Sequence, residues 1–201
     1  MTASRWLTIV ATFAWPLSAA TAPVTVAVFS AGDRPLVDAV VFLESREARA
    51  SARPQTDVAI AQEHRRFIPM VSVVPVGTRV FFPNRDKVRH HVYSFSPIKP
   101  FEIKLYAGTP AEPVVFDKPG IAVLGCNIHD DMIAWIVVVE TPYFGRTGAD
   151  GRVTLAQVPP GAYRLRAWHP DQPAGSPVSD EALQVGAATV AADVRLGAVA
   201  R

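Results

Sequence analysis

From Pro23 to the C-terminus, apolar residues come in short runs and not at helical intervals. The segments VTVAVF, AVVFLE, FIPMVSVV, TRVFF, HHVYSF, EIKLY, PVVFD, IAVLG and MIAWIVVVE are rich in Val, Ile, Phe and Tyr, and Gly, Pro, Asn or Asp separates them. Runs of this kind predict β-strands. The Ala/Arg-rich stretch SREARASARPQT, Ser45 to Thr56, reads as a connection, either a loop or a short helix. Many short strands without helical crossovers predict an all-β chain, with an antiparallel sandwich of two sheets and Greek-key connections over residues 23–140.

A second block of strand-like pattern begins at Thr141. In TPYFGRTGADGRVTLAQVPPGAYRLRAWHP, GADG and PPG have tight-turn chemistry, and RVTLA and AYRLRAW alternate as half-buried strands do. EALQV and TVAADVRL supply further strands. This block predicts a small separate β-sandwich over residues 141–201, which at that size leans on the first domain for stability.

The N-terminus reads differently. One basic residue, Arg5, precedes an uncharged apolar run from Trp6 to Leu17 and then small residues, the layout of a secretory signal. Pro23 disfavours a cut after Ala22, so the signal is expected over residues 1–20, cleaved after Ala20, with the protein exported to the periplasm. No later run is long and apolar enough to span a membrane. With 49% hydrophobic and 19% charged residues the chain is expected to pack a core. Lys+Arg 20 against Asp+Glu 18 gives +2, which supplies no basic field for nucleic acid.

The chemistry concentrates in GCNIHDDM, Gly125 to Met132, which holds the only cysteine. A single thiol in an oxidising compartment makes no internal disulfide, so Cys126 is either buried and inert or held by a ligand that protects it. His129 and Met132 follow at intervals of three, joining a soft thiolate to an imidazole and a thioether. A copper ion that cycles between Cu(I) and Cu(II) is held by two His and one Cys with a weak axial Met. The loop offers three of these four, and His90 or His91 supplies the fourth. As neighbours on a predicted strand these two point to opposite faces, so only one can serve. Zinc fits less well, because structural zinc takes four Cys/His ligands and methionine binds it poorly. Asp130 and Asp131 read as solvated carboxylates, or as a docking face for a cationic partner. His64 and His169 read as surface or capping residues, and Trp135 as core. No Gly-rich nucleotide loop, Ser/His/Asp set or carboxylate pair points to an enzyme.

The string VGTRVFFPNRD, then RHHVYSF, then strand, GCNIHDDM and strand resembles the cupredoxin (type 1 blue copper) family, with the C-x-x-H-x-x-M spacing of its amicyanin-like members. The resemblance covers residues 23–140 and is concentrated from Phe67 onward. It implies a Greek-key β-sandwich with one type 1 copper bound by His90, Cys126, His129 and Met132, the ligand histidine preceding a polar residue and Val; here His91 stands where Asn is more usual. It also implies single-electron shuttling through His129 as the surface port. The wider string, with TGADGRVTLAQVPPGAYRLRAWHP, resembles exported plastocyanin-like or methylamine-utilisation proteins. In these a carboxypeptidase regulatory-like module, an Ig-like or prealbumin-like sandwich, follows the copper domain. That resemblance implies redox partners such as an amine dehydrogenase or a cytochrome c. The competing readings are a copper carrier or storage module and a non-redox cell-surface interaction module.

Overall fold

The computed structural model describes residues 20–197 and 199, so the expected signal segment lies, but for its last residue, outside the described residues. Two strands, β1 (Ala22–Phe29) and β2 (Val40–Glu44), precede a short helix, α1 (Arg46–Ser51). The Ser45 hydroxyl accepts the Ala48 N–H at 3.0 Å and starts the helix, so the Ala/Arg-rich connection is part helix and part loop. There follow β3 (Val58–Ala59), β4 (Ala61–Glu63), β5 (Arg66–Ile68), β6 (Val71–Pro75), β7 (Thr78–Phe81), β8 (His90–Ser94) and β9 (Phe101–Tyr106). Then come β10 (Val114–Phe116), β11 (Gly120–Gly125) and β12 (Ile133–Val139). The chain ends in β13 (Phe144–Arg146), β14 (Arg152–Val158), β15 (Gly161–Trp168), β16 (Glu181–Val185) and β17 (Val190–Arg195).

The protein is all-β, with sheets packed face to face. A five-stranded sheet of order β6-β12-β11-β8-β9 packs on a three-stranded sheet, β10-β7-β3. Between them lies a core that includes Val74, Val80, Val92, Phe116, Leu124, Ile136 and Val138. The second sandwich pairs the sheet β14-β1-β17 with the sheet β13-β2-β15-β16 around Val24, Val26, Val41, Leu43, Leu155, Leu165 and Val194.

Two expectations change here. The pairing is not purely antiparallel: β12 runs parallel to β6, β3 to β7 and β1 to β17. The division at Glu140 also differs from the strand partners. β1 and β2 pair with β14, β17, β13 and β15, so the strands expected to open the first domain complete the second sandwich. The unit containing the Cys126 loop is thus inserted between β2 and β13.

The reason is visible in the side chains. In AVVFLE both faces of the strand are apolar: Val41 and Leu43 enter the core of the second sandwich, while Val40 and Phe42 face the other way. There they meet Val71, Val137, Val139 and Trp168 in a third apolar cluster that joins the two sandwiches. β12 is built the same way, with Ala134, Ile136 and Val138 on one core and Val137 and Val139 on the joint. Continuous apolar runs are what strands covered on both faces require.

A fragment of residues 20–140 leaves β1 and β2 without their partners. We expect it to be insoluble or to lack a cooperative transition in urea denaturation followed by circular dichroism. A soluble, cooperatively unfolding 20–140 fragment would restore the boundary near Glu140.

Candidate metal centre

Three strands bring the candidate ligands to one end of the five-stranded sheet. Cys126 directly follows β11, whose last residue, Gly125, lies opposite both Tyr93 of β8 and Ile133 of β12. A β-carbon on Gly125 would lie 2.6 Å from the Tyr93 ring, so glycine is what lets β11 pass beneath the tyrosine before the cysteine. His90 opens β8. The loop from Cys126 to Met132 turns tightly, the Met132 N–H donating to the His129 carbonyl at 3.0 Å.

His90, Cys126 and His129 present donor atoms that all lie within 4.8 Å of one another. His90 is fully buried, and its Nδ1 is 3.9 Å from Cys126 Sγ. The rings of His90 and His129 are 5.1 Å apart between centroids. Cys126 and Met132 are both buried and belong to the same apolar core. His129 is half-buried, and its Nδ1 is shut off from solvent without a hydrogen-bond partner. A buried ring nitrogen left without a partner is costly and calls for one. The Cys126 sulfur and the His90 ring lie close to that nitrogen, and sulfur with two imidazoles makes a donor set suited to a soft or borderline transition metal.

His91, the alternative to His90, is outside this cluster. It is buried on the opposite face of β8, its Nε2 3.0 Å from Glu102 Oε1 and its ring 5.7 Å from Tyr93. Strand alternation separates the two neighbouring histidines as expected. His64 sits exposed in the β4–β5 turn. His169 is a buried tie in the second sandwich and not a surface residue, its Nε2 donating to the Val37 carbonyl at 2.9 Å. Trp135 is half-buried at the joint and packs on Trp168 at 6.4 Å. Asp130 and Asp131 are exposed.

One residue important to the site entered the sequence reading only within the string VGTRVFFPNRD. The Asp86 carboxylate accepts the His90 Nε2–H at 2.7 Å and the backbone N–H groups of His64 and Arg65 at 2.8 and 2.9 Å. Burial works to raise the Asp86 pKa, but the Arg65 N–H, the His90 ring and the His64 N–H together hold it below the usual carboxylate value. An ionised carboxylate only accepts, so His90 Nε2 carries a proton and Nδ1 is the ring nitrogen that faces Cys126. Asn84 supports the arrangement. Its Oδ1 accepts the Asp86 N–H, and its Nδ2 donates to the carbonyls of Val88 and Tyr106, each at 2.9 Å. In β9, opposite His90, the Tyr106 hydroxyl donates to the Phe82 carbonyl at 2.7 Å and accepts from Gln62 Nε2. Its pKa is pushed up to about 12, chiefly by burial, with the charge of Cys126 adding to the effect.

Asp86 also holds a turn that its sequence does not favour. His64 and Arg65 have φ of 54° and 55°, a conformation in which glycine or asparagine is the usual occupant.

No known family's sequence model matches the chain, and no curated protein does. Solved structures align with part of the chain. A copper-containing nitrite reductase from Thermus scotoductus SA-01 aligns over 41% of this chain at 29% identity with a TM-score of 0.38. The aligned part is only 22% of the reductase. A purple cupredoxin from Nitrosopumilus maritimus aligns along its whole length, over 41% of this chain, at 22% identity and TM-score 0.37. A reduced amicyanin variant aligns over 98% of its own length and 49% of this chain, at 17% identity and TM-score 0.39.

We expect Asp86→Ala to lower the stability of the metal-free protein by about 2–3 kcal/mol in urea denaturation, since it strips the turn and the buried ring of a charged acceptor. Adding His64→Asn and Arg65→Gly should recover about 1 kcal/mol by relieving the left-handed turn. No recovery would mean that the turn stores no strain.

Proposed function

We propose that the protein is an exported type 1 copper protein that carries single electrons between redox partners. The observation that carries this reading is the convergence of His90, Cys126 and His129 donor atoms within 4.8 Å, with His129 Nδ1 left unpartnered among them. Met132, buried beside Cys126, is the weak fourth ligand in this reading. A bound copper ion supplies one-electron chemistry between Cu(I) and Cu(II).

The chain's own contribution is rigidity and exclusion of water. His90 is fixed from behind by Asp86, and Cys126 and Met132 sit in packed core, so the donors have little room to rearrange when the charge at the site changes. His129 alone among these residues reaches the surface. It opens into a groove with Ile68, Met70 and Ile133, which are 44%, 45% and 43% exposed. Those side chains offer a partner a small apolar contact of the kind that forms and breaks quickly. We expect the protein to be a carrier without substrate turnover, working in the periplasm, with an amine dehydrogenase or a cytochrome c as the class of partner. Among the described residues no helix is long and apolar enough to cross a membrane.

Adding Cu(II) to the purified protein should produce an intense thiolate-to-copper charge-transfer band in the visible spectrum. Cys126→Ser and His90→Ala should each abolish it, and His91→Ala should leave it in place. Repeated reduction and reoxidation should bleach and restore the band with copper retained on the protein. A colourless copper adduct would remove the type 1 assignment, and copper lost to a chelator at each reduction would favour the metal-carrier reading.

A further inference from the structure

The groove beside His129 has an unusual distribution of charge. Its volume is about 800 Å³. One side comes from the β4–β5 hairpin and carries Arg65 and Arg66; the other comes from the Cys126 loop and carries Asp130 and Asp131. Ile68, Met70 and Ile133 complete the lining with His129. All four charged side chains are exposed, and among the described residues none is engaged in an ion pair. The nearby acidic groups are committed elsewhere, Asp86 to His90 and the turn, and Glu63 to Arg85 at 3.5 Å. Two cations and two anions thus flank one apolar strip without neutralising each other.

We propose that this face is self-complementary and that a second copy of the chain docks on it about a twofold axis. A patch that is positive on one side and negative on the other matches itself after a half-turn, so each hairpin wall meets the partner's loop wall and the contact closes as a dimer. The Arg65–Arg66 wall of each copy enters the other's groove and meets Asp130 and Asp131, while the exposed apolar residues face one another. The hairpin tip is already fixed, because the Asp86 carboxylate holds the N–H groups of His64 and Arg65. Little ordering is therefore lost on association. Exposed ion pairs are individually weak and screened by salt, so the dimer is transient and salt-sensitive. The two His129 edges lie at the shared interface. The contact does not depend on copper, so its failure and that of the electron-carrier reading are separable.

Sedimentation velocity on the full protein, with and without added Cu(II), tests the proposal across micromolar to millimolar concentration. We expect the average mass to rise with concentration toward that of a dimer and to fall back in high salt. Two variants, Arg65→Glu with Arg66→Glu and Asp130→Lys with Asp131→Lys, should each stay monomeric. An equimolar mixture of the two should associate again, since both facing pairs of walls then carry opposite charge. Recovery on mixing also shows that both variants are folded. A parent protein monomeric at millimolar concentration, variants that still dimerise, or a mixture that does not associate would each overturn the proposal.

Discussion

Burial of both faces of β2 and β12 is the constraint on which the architecture rests. Val40 and Phe42 on one strand and Val137 and Val139 on the other have no place in either sandwich core; they are satisfied only against each other's sheets, with Val71 and Trp168 closing the cluster. At roughly 25 cal/mol per Å² of apolar surface removed from water, leaving a strip of this size exposed would be unfavourable by several kcal/mol. The two sandwiches therefore stack as successive layers, and β12, which follows the Cys126 loop, is covered on both faces over Val137–Val139. The end of its sheet can then hold a reactive loop without the loop having to support itself.

At the site the same economy recurs in polar form. A single carboxylate, Asp86, sets the tautomer of His90, closes the β4–β5 turn and is itself placed by Asn84. Because these bonds share one group, a change in the hairpin reaches the His90 ring through one side chain. That hairpin also walls the groove that leads to His129. The groove and the buried His90 ring are in this way two ends of one short hydrogen-bonded chain.

Much of this was readable in the sequence. Val-, Ile- and Phe-rich runs marked the strands because burial on a pleated surface selects those side chains, and the even spacing of Cys126, His129 and Met132 marked the loop. The parity of a strand separated His90 from His91. Strand partners were not readable: alternation tells which face is covered and not by what, so AVVFLE could not announce that it belongs with strands a hundred residues on. Its doubly apolar character was the available sign. Asp86 was visible only within VGTRVFFPNRD, because its contact with His64 and Arg65 depends on how two distant turns come together.

The insertion of the unit that carries the Cys126 loop between β2 and β13 bears on the order in which the molecule assembles. Among the described strands β1 is made first, yet its neighbours are β14 and β17, the latter the last of them. The outer sandwich thus cannot close until β17 has been made, whereas every strand of the inner sheets precedes β17 in the chain. Long-range pairing of this kind is slow to form. Late capture of β1, after the inserted segment has been made, is the route this topology permits, and it leaves that strand open until β17 is available.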